Sequence, residues 1–449
     1  MHPPIGRLTR RWLAAALLCL CAPPSSSGQI TTLGDALEAA AANNRVIRNA
    51  ELQRDKAVDD LRIARTRRLP IFSVTTLASQ PLTQLGVTLD QGSLGSYATV
   101  GPIPGRTTTL QSPLQFGVIL WATVSQPLTQ QYRIGLGIAS ARVGVDAAAE
   151  QVRTKRQSTI NDVRRTYYAI VQAEDAQKRL QATVEFLEQL SRETRQNAVQ
   201  RVALQADLLN ADAQLAQARY EVLKLTDPIQ TQRQQLNRLM GRDIDTPFDV
   251  DPSSAAGVEP PTQNGAYELA LASRPEIRLA RLQLRKAELD RRVKNAERMP
   301  DISLALSALK TANFSSVLPD SLSSVGVQAT WDVFDWGRKR RELEVSRDAE
   351  QQAVLDLQET EAQIRIDVAH QRRRVIEARQ ELEVAKALEA ASTEWLRVTR
   401  NRYTQREVLL SDLLKVQSAL ADADHRVVQA LMNVAGAQAD FEKAIGNDR

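Results

Sequence analysis

Histidine and cysteine are the residue types from which a catalytic or metal centre is most readily built, and this chain has three of the first and two of the second. His2, Cys19 and Cys21 all fall within the first 28 residues, which leaves His370 and His425. Both lie in helical patterns on the polar side, with no partner at the spacing of a metal site. The sequence has no phosphate-cradling P-loop, no GxSxG elbow and no HExxH. Carboxylates are plentiful, but they are interleaved with Lys and Arg on helical faces, the pattern of solvated surface pairs. No acid, base, nucleophile or ligand set converges, so the chain reads as a protein without a catalytic, cofactor or metal site.

What the residues must build instead is an ordered, mostly helical body. Of 449 residues, 43% are apolar, 25% charged and only 4% aromatic. That balance excludes a disordered chain and a bundle of membrane-spanning helices. Abundant Ala, Leu, Gln, Arg and Glu favour long packed helices. Residues 1–28 carry Arg7, Arg10 and Arg11, then an apolar run from Trp12 to Ala22, then small and breaker residues up to Gly28. This is the pattern of a secretory signal peptide, with cleavage expected before Gln29 and Ala22 as a second candidate. Cleavage before Gln29 removes both cysteines, and any disulfide with them. A lipid-anchored cysteine is the other reading, although Leu18 and Leu20 stand where that signal needs a small residue. Loss of three arginines leaves 55 basic and 53 acidic residues, a charge of +2 in place of +5. The electrostatic argument for nucleic-acid binding goes with them.

Breakers are unevenly spread. Residues 145–240 contain no Gly and one Pro, Pro228, and residues 338–435 contain neither. Two such stretches of similar length point to a duplication. Ala36–Ser73 aligns without a gap on Ala266–Ser303 at an offset of 230, with Glu38/Glu268, Ile47/Ile277, Arg48/Arg278, Ala50/Ala280, Lys56/Lys286, Asp60/Asp290, Arg68/Arg298 and Pro70/Pro300 identical. Downstream the offset is 205, pairing Asp162 with Asp367, Asp207-Leu208-Leu209 with Asp412-Leu413-Leu414, and Gly241 with Gly446. The first copy therefore has an insertion, expected in the Gly-rich stretch from Gln80 to Ser112. Pro247, Pro252, Pro260 and Pro261 mark a linker at 242–264 between repeats at 29–241 and 265–449.

Each repeat reads as helix, strand, loop, strand and long helical hairpin. A helix from about Thr32 to Leu69 should stop before Pro70, and its copy before Pro300. After each Pro the apolar period changes to two. The rows are Ile302, Leu304, Leu306, Ala308; Val325, Val327, Ala329, Trp331, Val333; Phe116, Val118, Leu120, Ala122, Val124; and, more weakly, Phe72, Val74, Ala78. The breaker-free stretches would each be ~145 Å long if straight, so they are expected to fold back at Arg195–Gln205 and Asn401–Leu410. Val368, Val375, Leu382, Leu396 and Tyr403 form one heptad row, interrupted by Glu389 and flanked by alanines that permit close helix approach.

The four strands have the length a tilted strand needs to cross a bilayer. Trp121, Trp331, Trp336, Phe72, Phe116, Phe314 and Phe334 lie in or beside them, as in an interfacial aromatic girdle. The alternation fits a half-buried soluble sheet as well. Four strands cannot close a lipid-facing barrel, so spanning would require several chains to share one. The competing reading is a secreted or periplasmic coiled-coil scaffold without a pore.

The duplicated layout, the helix ends RRLPIFSV and RMPDISL, the run WDVFDWGRKRRELEVSRDAEQQ and the paired ends NRLMG and EKAIG together resemble the TolC-like outer-membrane efflux proteins. The resemblance covers essentially the whole mature chain. It implies a mainly α fold with a transmembrane β part: a homotrimer with four strands per chain in a 12-stranded barrel set in outer-membrane lipid, and helical hairpins forming a periplasmic α-barrel. It also implies a passive exit duct joined through a periplasmic adaptor protein to an inner-membrane pump. By position, the adaptor-docking tips are Arg201, Val202, Ala203 and Leu204, and Arg406, Glu407, Val408 and Leu409. Where that family usually has Gly, this chain has Arg201 and Arg406, which adopt positive φ at a cost. Asp412 matches an aspartate of the tunnel constriction, with Lys415 at a second such position and Asp207 as the repeat mate of Asp412. The interface aromatics are Trp121, Trp331, Trp336, Phe116 and Phe334. The arginine-rich run Gln371–Arg374 reads as solvated outer surface, and the cargo stays open.

Overall fold

The computed structural model describes residues 29–447 except 81, 85, 112–113, 115, 201–203, 252–262, 314–319 and 406. The signal segment, residues 252–262 of the linker, Phe314 and the tip residues Arg201, Val202, Ala203 and Arg406 thus lie outside the described residues. The first half runs β1 (Gln29–Thr31), α1 (Leu33–Asn43), α2 (Arg45–Thr66), β2 (Ile71–Ser79), β3 (Gly86–Leu89), β4 (Ser96–Tyr97), β5 (Gly101–Pro102), β6 (Thr108–Gln111), β7 (Gly117–Pro127), α3 (Gln130–Val199) and α4 (Gln205–Met240). The second runs β8 (Phe248–Val250), α5 (Gln263–Ser273), α6 (Pro275–Ala296), β9 (Asp301–Ala312), β10 (Ser321–Thr330), α7 (Arg338–Thr404) and α8 (Leu410–Ala444).

The single helix expected from Thr32 to Leu69 is two helices. Asn44 leaves the helical region (φ −64°, ψ 127°), and its Oδ1 accepts the amides of Val46 and Ile47 at 2.8 and 3.2 Å. Its Nδ2 donates to the Leu239 carbonyl at 2.7 Å, so one buried side chain caps α2 and ties it to α4. Arg274 breaks the second half at the same place (φ −65°, ψ 126°), here because Pro275 follows. Its guanidinium donates to Asp367 at 2.8 Å. Gly241 and Gly446 end α4 and α8 at φ 73° and 78°. A Cβ at Gly241 would collide with the Asn43 carbonyl, and one at Gly446 would lie 2.9 Å from the Ser273 carbonyl carbon. Each helix C-terminus therefore seats on the break between the two short helices of its own half.

The chain does fold back where expected, between Val199 and Gln205 and between Thr404 and Leu410. At 70 residues, α3 extends ~105 Å. It starts at Gln130, upstream of the breaker-free stretch, and carries Gly135, Gly137 and Gly144 inside it. Packing overrides propensity here: Leu136 and Val143, next to these glycines, are buried with Leu289 of α6.

The seam between α7 and α8 is narrower than the heptad row predicted. On α7, Val368 and Val375 are buried as expected, but toward the tip the buried row is Ala378, Ala385, Ser392 and Thr399. Leu382, Leu396 and Tyr403 are only half-buried beside it. On α8 the heptad row Val416, Ala423, Ala430, Ala437 and Ala444 is buried, with Val427 beside it in the cluster of Ala385 and Phe441 in that of Val368 and Val375. The alanines of both rows let the backbones approach closely, and Leu382, Leu396 and Tyr403 lie beside that contact.

Candidate functional site

The strands form one antiparallel sheet in the order β10-β9-β7-β2. Its register sorts the side chains by face. Phe72, Val124, Leu306 and Val325 line up across the four strands. One position along, on the opposite face, stand Ser73, Thr123, Ser307 and Ser324, with the last two hydroxyls 2.8 Å apart. At this position an apolar row is backed by a hydroxyl row, as in a sheet between lipid and water, while the next row on the hydroxyl-bearing face, Thr75, Trp121, Leu309 and Leu322, is mostly apolar. β2 and β10 are both edge strands, exposed along nearly their whole length. The insertion after β2 holds two small ladders, β3 with β6 and β4 with β5.

Pro70 and Pro300 set the end of the sheet that meets the long helices. At that end stand Phe72, 73% exposed, and Trp331, Phe334 and Trp336, the last 89% exposed. The strand stops at Thr330, so the alternation expected through Val333 ends earlier. The cause is the start of α7: Asp335 accepts the amides of Gly337 at 3.1 Å and Lys339 at 3.0 Å. Those donors, Lys339 first, hold the Asp335 carboxyl below its ordinary range. The cap imposes a left-handed turn on Trp336 (φ 55°), whose ring meets that of Phe334 edge-on at 4.8 Å. Phe116 lies at the far end of β7. Trp121 falls on the hydroxyl-bearing face with Thr75 and Leu309, opposite the apolar row.

At the other extreme are the hairpin tips. Leu204 and Leu409 precede α4 and α8 with extended backbone and are 70% and 71% exposed. Glu407 is exposed and ion-paired to Arg402 at 3.2 Å, while Val408 is half-buried. Asp207 and Asp412 occupy equivalent places in the first helical turns, where a negative charge suits the helix dipole. The Asp412 carboxylate also accepts the Leu409 amide at 3.4 Å. Lys415 is exposed one turn on. Leu414 of the second hairpin buries itself among Leu187, Leu190 and Ala218 of the first. Tyr403 lies near Glu193 and Asp207, and burial first, then these carboxylates, pushes its hydroxyl pKa up. The heptad pattern found Tyr403 as a packing residue only; the acidic neighbours come from other helices and leave no local signal.

Between these ends, Arg374 is exposed and carries a surface ion pair. It points to Asp440 at 3.5 Å, which also receives the Asn161 amide at 3.0 Å. Gln371 is half-buried and donates to Asp367 at 3.4 Å. His370 and His425 are exposed. No group of His, Cys, Asp or Glu able to hold a metal occurs among the described residues. Among those residues no helix is long and apolar enough to cross a membrane.

Comparison with known proteins bears on these surfaces. The outer membrane efflux protein BepC of Brucella suis biovar 1 is 24% identical over 334 residues, 70% of this chain and 71% of that protein. The Campylobacter jejuni CmeC outer membrane channel superposes with a TM-score of 0.77 over 99% of this chain and 94% of that one, at 16% identity. The open state of the Neisseria gonorrhoeae MtrE outer membrane channel gives 0.71 over 92% and 88%, at 20% identity. The sequence profile of the outer membrane efflux proteins matches residues 36–242 and 266–447, most of each half. The chain therefore belongs to the outer membrane efflux protein family, whose members are outer-membrane channels with a large periplasmic part.

Proposed function

We infer that three copies of this chain form the passive exit duct of a tripartite efflux system, passing cargo from the periplasm to the exterior. The observation that carries this reading is the sheet: an apolar row on one face, a hydroxyl row on the other, and two free edges. An open edge is not tolerated in lipid, so β10 of one copy must pair with β2 of the next. Twelve strands spaced ~4.8 Å and tilted ~40° enclose a cylinder ~24 Å across between backbones, wide enough for water after side chains are placed.

The α3–α4 and α7–α8 hairpins extend the duct into the periplasm. The exposed Leu204 and Leu409, with the flanking Arg201–Ala203 and Arg406–Val408, are the docking tips for a periplasmic adaptor joined to an inner-membrane pump. Asp207, Asp412 and Lys415 set the constriction, and a mixed ring of this kind selects cations less strongly than a purely acidic one. Opening separates the tip helices, which Leu414 and Tyr403 hold together in the closed arrangement. Energy comes from the pump, since no chemistry on this chain supplies it. The repeats at 29–241 and 265–449 contribute equivalent parts of the wall, following a signal segment at 1–28.

Negative-stain imaging of the full-length protein, extracted from membranes in mild detergent, tests this reading. Threefold end views and tubes longer than ~100 Å, as α3 requires, are expected. Rod-like particles recovered without detergent would leave the periplasmic scaffold in its place.

A further inference from the structure

Just below the sheet, where α6 runs out toward Pro300 and α3 and α7 begin, side chains of the three helices enclose a cleft of about 430 Å³. Arg291, Arg292, Arg298 and Arg347 line it, and no carboxylate does. Met299 and Leu343 add apolar surface, and Tyr132 stands beside them. Arg291 is held by Glu350 at 2.6 Å. Arg292, Arg298 and Arg347 are exposed and have no ion pair or hydrogen bond among the described residues. Several neighbouring helix-surface arginines are paired, Arg281 with Glu361, Arg285 with Glu288 and Arg338 with Glu342.

A second observation concerns position. At the offset of 230, Arg292 and Arg298 correspond to Arg62 and Arg68, and at 205 Arg347 corresponds to Arg142. Arginines thus recur at the matching positions of the first half, where Arg62 is paired with Asp59 at 2.9 Å. Helix packing does not require the arginines of the cleft, since like charges gathered around one cleft repel. An anion joining them removes the repulsion. Arg298 and Met299, at one end of the cleft, directly precede Pro300 and β9, and Trp331, Phe334 and Trp336 follow β10 at the same end of the sheet, where aromatic side chains would meet headgroups.

We propose that this cleft binds the phosphate of an anionic phospholipid headgroup at the periplasmic surface of the outer membrane. The inference rests on the channel reading, which sets the sheet in the bilayer and the cleft at its periplasmic edge. The planar forks of Arg292, Arg298 and Arg347 fit phosphate oxygens bidentately. Met299 and Leu343 cover the glycerol and first acyl carbons, and Tyr132 bridges the polar and apolar zones. Each chain holds one such lipid, so the oligomer gains a ring of them where the barrel joins the helices.

Native mass spectrometry of the full-length detergent-extracted oligomer tests this, with titration by phosphatidylglycerol, phosphatidylcholine and inorganic phosphate. Phosphatidylglycerol should bind at one per chain and in preference to phosphatidylcholine. The triple variant R292A/R298A/R347A should lose at least ~10-fold in that affinity, and the Lys triple variant should fall between. Inorganic phosphate that binds equally well and displaces the lipid would mark a free-phosphate site and overturn the lipid assignment. Equal binding of both lipids by the wild type, or an alanine triple variant that retains full affinity, would overturn it too. Single-channel conductance of wild type and variants in planar bilayers separates the two readings. A wild type that conducts without lipid preference refutes only the lipid site, and a wild type that never conducts refutes the channel on which it depends.

Discussion

Arginine placed on either face of the sheet tests the two-sided reading most directly. Val325 is the fifth of the ten residues of β10, so it lies near the middle of any bilayer the sheet spans, in the row with Leu306, Val124 and Phe72. Ser324 is its neighbour on the other face, against Ser307. A lipid-facing Arg at the midplane costs about 2–4 kcal/mol, or roughly 30- to 700-fold per chain. Three copies in one barrel bring Val325→Arg to ~6–12 kcal/mol per oligomer. Ser324→Arg puts the same charge into a water-filled lumen, at a cost of about 1 kcal/mol or less per chain. The assay is the yield of heat-sensitive oligomer in outer membranes, together with the temperature at which it dissociates in dodecyl sulfate. V325R should give little oligomer and S324R should resemble wild type. Equal effects from the two substitutions, or a harmless V325R, would refute the assignment of faces and with it the membrane position of the sheet.

Three further outcomes are expected. Asp412→Ala should weaken cation selectivity and raise leak in planar bilayers; unchanged conductance and selectivity would remove Asp412 from the gate. The raised pKa of Tyr403 means that its neutral form stabilises the tip below the ordinary tyrosine value of ~10, and that this contribution is lost as pH rises through the folded value. Wild-type leak should accordingly increase at high pH, and Tyr403→Phe, with no proton to lose, should keep the conductance seen at neutral pH. Gly241→Ala adds about 1–2 kcal/mol for the left-handed backbone and a clash with Asn43, so its melting point by circular dichroism should fall by several degrees and further than that of Gly446→Ala, whose nearest contacts are looser; the reverse order would contradict the seating of α4 on the α1–α2 break.

Strands and hairpins were legible because each is a local pattern. Pro70 and Pro300 announce the change from period 3.6 to period 2, and the alternating rows from Phe72 to Ala329 name the strands that form. The break at Arg274 had a local signal in Pro275, but the one at Asn44 did not, because it depends on the Leu239 carbonyl far along the chain. The start of α3 was missed for a related reason. Gly135 and Gly137 discourage a helix locally, and the burial of Leu136 and Val143 against Leu289 of α6 sustains it there.

By itself the sequence determined the order of elements, the strand rows and the fold-back points. These follow from breaker positions and from periodicities within short windows, where each residue acts on its neighbours. Only the tertiary structure decided which residues share a face or a cleft. Cross-strand register set the hydroxyl row against the apolar row and moved Trp121 to the hydroxyl-bearing face. Helix packing brought Glu193 and Asp207 to Tyr403, and gathered four arginines from α6, the turn that follows it and α7 around one space. Such juxtapositions join residues far apart in the chain, and their free energy lies in contacts that no local pattern encodes.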